Sequence, residues 1–156
     1  MAEPNPKELF DLGVKSNKAK DFTQAKKYFE KACELNYANG CSALGILYTN
    51  KDFGEKNYKK ALALLTRACD LNDDLGCFTL QGAYEEGLYG VKKDSKKALQ
   101  YLSKACELNE KEGCFRLAEM QKDGEGVVKN IKQAVKTFEK ACKLGSEDAC
   151  GILNNY

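Results

Sequence analysis

The chain contains no histidine and no tryptophan, and only two of its 156 residues are prolines. Without histidine it cannot form a Ser-His-Asp or Cys-His catalytic pair, an imidazole base, or a histidine-ligated zinc or haem site. The low proline content and the 43% share of hydrophobic residues exclude a collagen-like or linker composition. The composition therefore predicts a globular protein.

Arginine is also scarce, since Arg67 and Arg116 are the only arginines among 25 basic residues, and the net charge is +2. Recognition of phosphates and base edges favours arginine, so this composition argues against a nucleic-acid partner. No stretch approaches about eighteen apolar residues, and the first residues form neither a basic nor an apolar signal region. We therefore expect no membrane span, and we expect any secretion signal to have been removed already.

Cysteine, in contrast, is abundant and regularly spaced. The eight cysteines form four Cys-x7-Cys pairs whose first members lie 36 or 37 residues apart, which predicts an internal repeat. The paired positions are Cys33 and Cys41, Cys69 and Cys77, Cys106 and Cys114, and Cys142 and Cys150.

Each repeat carries one amphipathic helical stripe, which consists of an alanine, a large apolar residue four positions later, and a second alanine. An Asp or Asn that can cap a first turn precedes each stripe, and an Asn or Gly that tolerates the left-handed conformation follows it. These signals predict four helices, the B helices, at about 22–35, 58–71, 95–108 and 131–144. The predicted N-caps are Asp21, Asn57, Asp94 and Asn130, and the predicted terminating residues are Asn36, Asn72, Asn109 and Gly145.

A second helix in each repeat, the A helix, is predicted to begin at the second cysteine of each pair. From Cys41 the apolar pattern continues with Leu44, Gly45 and Tyr48, which lie on one helical face. The glycine beside leucine favours close helix packing. Glycine-rich segments between the A and B helices predict turns, as at 86–91. Four such hairpins predict an α-solenoid in which neighbours cover one another's apolar faces.

The order Leu-Gly, Tyr, Ala, large apolar residue and Ala resembles the tetratricopeptide repeat. The 36 to 37 residue period, with a Gly-Val-x-Lys-[Asp/Asn] loop, resembles its Sel1-like subclass. With Cys-x7-Cys at every junction, residues 7–153 are similar to the Helicobacter cysteine-rich protein family of secreted Sel1-like repeat proteins.

This resemblance implies an all-α, right-handed α-solenoid with disulfide-linked repeat junctions, in a secreted or periplasmic protein. We expect a single domain over 4–156. Its four repeats are predicted at about 7–38, 39–74, 75–111 and 112–147, followed by a short capping helix at 148–156.

Each cysteine pair spans the bend between the end of a B helix and the start of the next A helix, which is within disulfide reach. Repeat symmetry favours the same local bond in every repeat: 33–41, 69–77, 106–114 and 142–150. Two alternatives stay open at this point. One is an all-cysteine zinc site, whose ligand pairs usually lie closer in sequence, and the other is a set of reduced cysteines in a cytosolic protein.

In tetratricopeptide arrays the concave groove is lined by A-helix residues. The resemblance therefore implies that the matching positions here bind an extended peptide or a partner's tail, with amides contacting its backbone. The alternative is that the phenylalanines belong to the core between repeats and that the carboxylates are solvated loop charge. The predicted groove residues are Phe10, Val14, Asn17, Lys18, Ser42, Ile46, Thr49, Asn50, Phe78, Gly82, Glu85, Glu86, Phe115, Glu119, Lys122 and Asp123. We expect a monomer that binds a protein or peptide partner and uses no cofactor and no metal.

The resemblance also implies a second function, because members of this family have been linked to penicillin binding and weak β-lactamase activity. A serine β-lactamase needs a Ser-x-x-Lys nucleophile, and none of the five serines has a lysine three residues later. The segment Tyr37-Ala38-Asn39 resembles the Tyr-x-Asn element of such enzymes, but Lys-Thr-Gly is absent. We therefore predict no catalytic residue, and penicillin binding with weak β-lactamase activity is the alternative to an interaction module.

Overall fold

The structure of the protein is a computed structural model that describes residues 4–155. Within these residues the regular secondary structure is entirely α-helical, which confirms the all-α fold class. The nine helices of this range are α1 (Pro6–Lys18), α2 (Phe22–Glu34), α3 (Ala38–Leu47), α4 (Tyr58–Asp70), α5 (Asp74–Glu86), α6 (Ser95–Glu107), α7 (Lys111–Asp123), α8 (Ile131–Lys143) and α9 (Glu147–Leu153). The B helices are α2, α4, α6 and α8, and the A helices are α1, α3, α5, α7 and α9.

The ends of the B helices lie where their capping residues predict them. At the start of α2, the Asp21 carboxylate accepts a hydrogen bond from the backbone amide of Gln24 at 3.1 Å, and the other three N-caps make the equivalent bond. After the helices, Asn36, Asn72 and Asn109 adopt left-handed conformations with φ of 62°, 69° and 69°. The B helices thus match the prediction to within one residue, because short side chains satisfy the free backbone groups of a helix end.

The A helices begin earlier than predicted. Helices α3, α5, α7 and α9 start three residues before the second cysteine of each pair, so this cysteine lies inside the first turn and not at its start. At α7 and α9 the cause is a capping side chain in the short connection, whereas Tyr37 before α3 makes no side-chain cap bond. Glu110 accepts from the Gly113 amide, and Ser146 Oγ accepts from the Ala149 amide at 3.2 Å. The apolar pattern, which begins only at the cysteine, does not report this first turn.

The chain divides into two compact units, one ending at Gly76 and the other beginning at Cys77. Unit 1 contains α1 to α4 and the start of α5, and unit 2 contains the rest of α5 and α6 to α9. The organisation as a single domain stays a prediction.

The core of unit 1 is built from apolar residues of its A and B helices, including Phe29, Leu44 and Tyr48. Two glycines allow the helices to approach closely. A Cβ atom on Gly13 would lie 2.5 Å from the Phe29 ring, and one on Gly45 would lie 3.0 Å from Leu65 Cγ. A side chain at either position would force the helices apart, in agreement with the packing role predicted for glycine beside leucine.

The core of unit 2 uses more alanine. Ala118, Ala134 and Ala141 are fully or almost fully buried around Phe138. A polar side chain, Gln81, is also buried, with 2% of its surface exposed. Its amide donates to the Glu85 carboxylate, and its carbonyl oxygen accepts from Arg116 Nη1 at 3.5 Å. These partners satisfy both ends of the amide, as a buried polar group requires.

Disulfides link the ends of the B helices to the A helices that follow. Cys33 is bonded to Cys41, Cys106 to Cys114 and Cys142 to Cys150, with Cα–Cα distances of 4.6, 4.5 and 4.8 Å. Cys69 and Cys77 are disulfide-bonded as well. The disulfide-linked junctions are confirmed, and the zinc and reduced-thiol alternatives are wrong. Such bonds form and persist in oxidising compartments outside the cytosol.

A recurring polar contact joins successive B helices within each unit. In unit 1, Arg67 near the end of α4 donates from Nη2 to Asn36 Oδ1, just after α2, at 2.8 Å. In unit 2, Lys140 near the end of α8 donates from Nζ to the Cys106 carbonyl oxygen of α6 at 2.7 Å. A cation thus lies at the C-terminal end of the preceding B helix, where the helix dipole favours positive charge.

Candidate functional site

A cleft of about 690 Å³ lies along the A helices of unit 1, and we call it the unit 1 cleft. All eight groove residues predicted from repeats one and two line it: Phe10, Val14, Asn17, Lys18, Ser42, Ile46, Thr49 and Asn50. The remaining lining residues are Phe29, Asn39, Ala43, Leu47, Asp73, Asp74 and Leu75. The structure therefore brings this half of the predicted set together.

Helical spacing explains why these residues share one surface. Phe10, Val14 and Asn17 are four and three residues apart on α1, which places them on one helical face. Ser42 and Ile46 repeat this spacing on α3. The cleft surface thus follows from a periodicity that the sequence already shows.

The apolar side of the cleft is partly exposed. Ile46 and Leu75 are 38% and 47% exposed. Phe10 is half-buried, and its ring centroid lies 5.9 Å from that of Phe29 and 5.7 Å from that of Tyr37. Phe10 therefore contacts the core and lines the cleft at the same time, and its part in binding stays a prediction.

The polar side chains of the cleft differ in how many hydrogen bonds they already make within the protein. Ser42 is buried and donates from Oγ to the Asn39 carbonyl oxygen at 3.1 Å, and Thr49 Oγ1 donates to the Ile46 carbonyl oxygen at 2.6 Å. The Asn50 Oδ1 atom accepts from the Asp52 amide at 2.8 Å, which leaves its NH₂ group as a donor. Asn17 is exposed. The side-chain amides are the groups best placed to meet a ligand's backbone.

Two carboxylates of the cleft, Asp73 and Asp74, were not in the predicted set. Asp73 is buried, with 7% exposure, and accepts a hydrogen bond from the Gly76 amide at 3.2 Å. Burial raises the pKa of Asp73. A hydrogen bond with Ser42 opposes this shift, and the charge of Asp74 adds to it. The sequence does carry a signal for Asp73, because it occupies the repeat position at which Glu110 and Ser146 cap later A helices.

The predicted groove residues of repeats three and four are arranged differently. Glu85, Glu86, Glu119 and Asp123 line a smaller cavity of unit 2, about 320 Å³ in volume. Arg116, which the sequence analysis did not select, lies among them. Its Nη1 atom is 3.1 Å from Glu85 Oε2.

The two phenylalanines predicted for this half lie close to other protein groups. The guanidinium carbon of Arg116 is 5.6 Å from the centroid of the Phe78 ring, so the ring is covered by a cation. Phe115 packs against Phe138, with ring centroids 5.8 Å apart, at the edge of the unit 2 core. Only the carboxylates of the predicted set are brought together around the cavity of unit 2.

The arrangement of helices and side chains bears on two further kinds of site, a membrane span and a metal centre. No helix within residues 4–155 has the length and apolarity that a bilayer span needs. In the same part of the chain, no group of three or more Cys, Asp or Glu side chains is arranged to hold a metal ion.

Comparison with known families agrees with the repeat pattern. The family model of the Sel1 repeat matches residues 38–73, 75–110 and 111–146, and the model of the tetratricopeptide repeat matches residues 16–39. Two curated Helicobacter pylori proteins match shorter segments. HcpC is 62% identical over 60 residues, which are 38% of this chain and 21% of HcpC. "Beta-lactamase HcpA" is 52% identical over 62 residues, which are 40% of this chain and 25% of HcpA. The match thus spans about a quarter or less of these relatives.

Solved structures extend the comparison over most of the chain. The Helicobacter pylori cysteine rich protein B (hcpB) is 53% identical, with a TM-score of 0.68 over 86% of this chain and 96% of that chain. A Sel1 repeat protein from Oxalobacter formigenes is 22% identical, with a TM-score of 0.80 over 97% of this chain and 63% of that chain. The second likeness concerns the fold alone.

Proposed function

Since the chain belongs to the Sel1 repeat family and is one of its Helicobacter-type cysteine-rich members, we propose that it binds an extended segment of a partner protein through the unit 1 cleft. Sel1 and tetratricopeptide repeats generally mediate protein interactions. The observation that carries the proposal is that all eight groove residues of repeats one and two line one open cleft.

The chemistry of the cleft suits a peptide in extended conformation. Such a segment presents alternating side chains and a backbone whose amide groups need partners. Phe10 and Ile46 provide an apolar surface for a side chain, and the amides of Asn17 and Asn50 provide hydrogen bonds for the backbone. A rigid support lowers the entropy lost on binding, and the Cys33–Cys41 disulfide constrains the start of α3 in this way.

The test uses the oxidised protein and a random dodecapeptide library displayed on phage. We expect enrichment of a peptide family whose binding weakens about tenfold in Ile46→Ala, because a half-exposed isoleucine contributes on the order of 1–2 kcal/mol when a ligand covers it. Leu12→Ala is the matched control, since Leu12 lies on α1 outside the cleft and is 41% exposed. Equal binding by wild type and Ile46→Ala would overturn the proposal.

The proposal includes the compartment and the oligomeric state. The disulfides support a secreted or periplasmic protein, and we propose that it acts as a monomer. Immunodetection after cell fractionation and light scattering of the purified protein test these two points. Recovery in the cytosol, or a stable dimer, would contradict them.

Penicillin binding with weak β-lactamase activity is a second candidate, and the name of the relative "Beta-lactamase HcpA" favours it. The chain has no Ser-x-x-Lys element, so any activity would need a different nucleophile. The test is hydrolysis of a chromogenic cephalosporin by purified protein, together with mass spectrometry for a covalent adduct. Saturable turnover proportional to protein concentration would support this candidate, and absence of both turnover and adduct would remove it.

A further inference from the structure

We propose that the unit 1 cleft selects peptides in which a basic side chain lies close in sequence to a large apolar one, with the basic side chain bound at Asp74. This inference rests on the proposed function and adds the class of partner. It follows from the distribution of charge and apolar surface along the cleft.

The charged groups of the cleft are separated. Three charged side chains line it, namely Lys18, Asp73 and Asp74. The two aspartates lie at the start of α5, and Asp73 is close to Ser42 in the first half of α3. In the repeat, Lys18 corresponds to Asn50, beyond the end of α3. Ser42 corresponds to Phe10, and on α1 eight residues of helix separate Phe10 from Lys18, which is about 12 Å. The cleft therefore has an acidic end and a basic end.

Exposed apolar surface adjoins the acidic end. Leu75 follows Asp74 directly and is 47% exposed, and Ile46 lies one helical turn beyond Ser42 and is 38% exposed. A peptide with an apolar side chain against this surface would place a neighbouring side chain within reach of Asp74. The stem of a lysine or arginine also covers apolar surface while its charged end contacts a carboxylate.

The two aspartates have different parts in this arrangement. Asp73 is 7% exposed and accepts from the Gly76 amide, so it adds negative charge to the cleft with little of its own surface open to a ligand. Asp74 is half-buried, and one of its oxygens accepts from the Leu75 amide at 3.0 Å. Its carboxylate retains acceptor capacity for a ligand cation. An acidic peptide side chain here would meet two like charges, which disfavours it.

The first measurement is the composition of the peptides that the dodecapeptide library yields. We expect Lys or Arg within about four positions of an apolar residue in most of the enriched sequences. For the tightest peptide, replacement of the basic residue by Glu should weaken binding about tenfold, and replacement by Ala less. Raising the salt concentration from about 0.05 to 0.5 M should weaken the parent peptide and not its Ala version, because the attraction between charges is screened.

The second measurement uses protein variants. Asp74→Asn retains the backbone hydrogen bond and should weaken the parent peptide about two- to fivefold, with no effect on its Ala version. Asp70→Asn, which removes an exposed charge of unit 1 outside the cleft, is the matched control and should bind like wild type.

Failure of this inference is distinguishable from failure of the proposed function. One outcome is enriched peptides that lack basic residues, bind Ile46→Ala more weakly than wild type, and bind Asp74→Asn as tightly as wild type. This outcome would overturn the charge selection and leave the proposal of a peptide-binding cleft in place. Peptides that bind both variants as tightly as wild type, or a library without enrichment over a blank surface, would overturn both the charge selection and the proposed function.

Discussion

The A helices of unit 1 and unit 2 present the same repeat positions with opposite chemistry. The position of Ile46 in repeat two is occupied by Gly82 in repeat three and Glu119 in repeat four. In unit 1 this gives a cleft of about 690 Å³ with exposed apolar side chains. In unit 2 the predicted carboxylates surround Arg116 and a cavity of about 320 Å³. The helical scaffold fixes where the side chains stand, and only their identity decides what each surface can bind.

A second comparison concerns the junctions, which are built alike in both units. The disulfides Cys33–Cys41, Cys106–Cys114 and Cys142–Cys150 close loops of the same length, with the two cysteines eight residues apart. The residue before the second cysteine is glycine at three junctions and alanine at the last, where Ala149 is fully buried. The junctions are therefore close to equivalent in chain topology and differ in packing.

The largest expected effect is loss of a disulfide. Replacing Cys33 and Cys41 by alanine should lower the free energy of unfolding by about 2–3 kcal/mol, because the unfolded chain regains the entropy of the open loop. The same change at Cys106 and Cys114 should have a similar effect, since the loops are equal in length. Urea denaturation followed by circular dichroism measures both losses. An unchanged midpoint in either variant would contradict the equivalence of the junctions.

The next effect separates two junction glycines. A Cβ atom on Gly40 would lie 2.7 Å from Ala32 Cβ, so Gly40→Ala should destabilise the protein by about 1–3 kcal/mol. On Gly113 the nearest contacts are 3.1 Å to the end of the Glu110 side chain and 3.3 Å to Ala105 Cβ. Because alanine also favours helix by up to about 1 kcal/mol, Gly113→Ala should be nearly neutral.

Gly82→Ala is the control for these junction variants, since its added Cβ would have no neighbour within 4 Å apart from the backbone of its own helix. It should be neutral or stabilising by about 0.5–1 kcal/mol. Thermal unfolding of the three variants gives the order. A Gly40→Ala variant as stable as Gly82→Ala would show that the junctions can adjust.

A smaller effect tests the charged cavity of unit 2. Arg116→Ala removes an exposed ion pair with Glu85 and uncovers Phe78, and it also removes the donor to the buried Gln81 carbonyl oxygen, so it should cost about 1–2 kcal/mol. The neighbouring carboxylates then repel one another, so added salt should restore part of the lost stability. Lys7→Ala, which removes another exposed ion pair, to Asp11 in unit 1, is the control and should show little salt dependence. Identical salt dependence in both variants would argue against clustered negative charge around Arg116.

The smallest effect concerns pH and the acidic end of the unit 1 cleft. The pKa of Asp73 is raised mainly by burial, so the folded protein holds this proton more tightly than the unfolded chain. The contribution of Asp73 to stability therefore falls as pH rises from the unfolded pKa through the raised folded pKa. Asp73→Asn retains a cap and removes the charge, so it should lack this loss.

Urea denaturation of Asp73→Asn and wild type between about pH 3 and 7 measures the difference. As pH increases over the range where carboxyl groups titrate, the free energy of unfolding of Asp73→Asn should increase relative to that of wild type. Asp70→Asn, at an exposed position, should follow wild type. If the free energy of unfolding of wild type instead increased relative to that of Asp73→Asn as pH rises, Asp73 would be stabilised as an anion.

The parts of the fold that the sequence predicts well are those set by local signals. The B helices have Asp or Asn before them and Asn or Gly after them, and their ends are correct to within a residue. The eight groove residues of unit 1 follow from helical spacing together with the repeat resemblance. Both depend on residues close together in the chain, for which a single sequence is sufficient.

The parts that sequence reasoning does not reach depend on contacts between distant residues. Arg116 covers Phe78 from the following repeat, 38 positions along the chain, and no local pattern shows this. Asp73 meets Ser42 across 31 positions, so its burial and its place in the cleft emerge only in three dimensions. The early starts of α7 and α9 have a local cause: Glu110 and Ser146 cap first turns that contain few apolar residues, so the apolar pattern does not show these turns.

Two contacts between B helices bear on how the number of repeats can change. They join Lys140 to the Cys106 carbonyl oxygen and Arg67 to Asn36. In both, the later copy of the motif supplies the donor and the earlier copy supplies the acceptor. Tandem duplication of one such segment would therefore add both a donor and an acceptor, and no group of this contact would lose its partner. A chain lengthened or shortened by one such segment would therefore keep a cationic donor for the acceptor at the end of each preceding B helix.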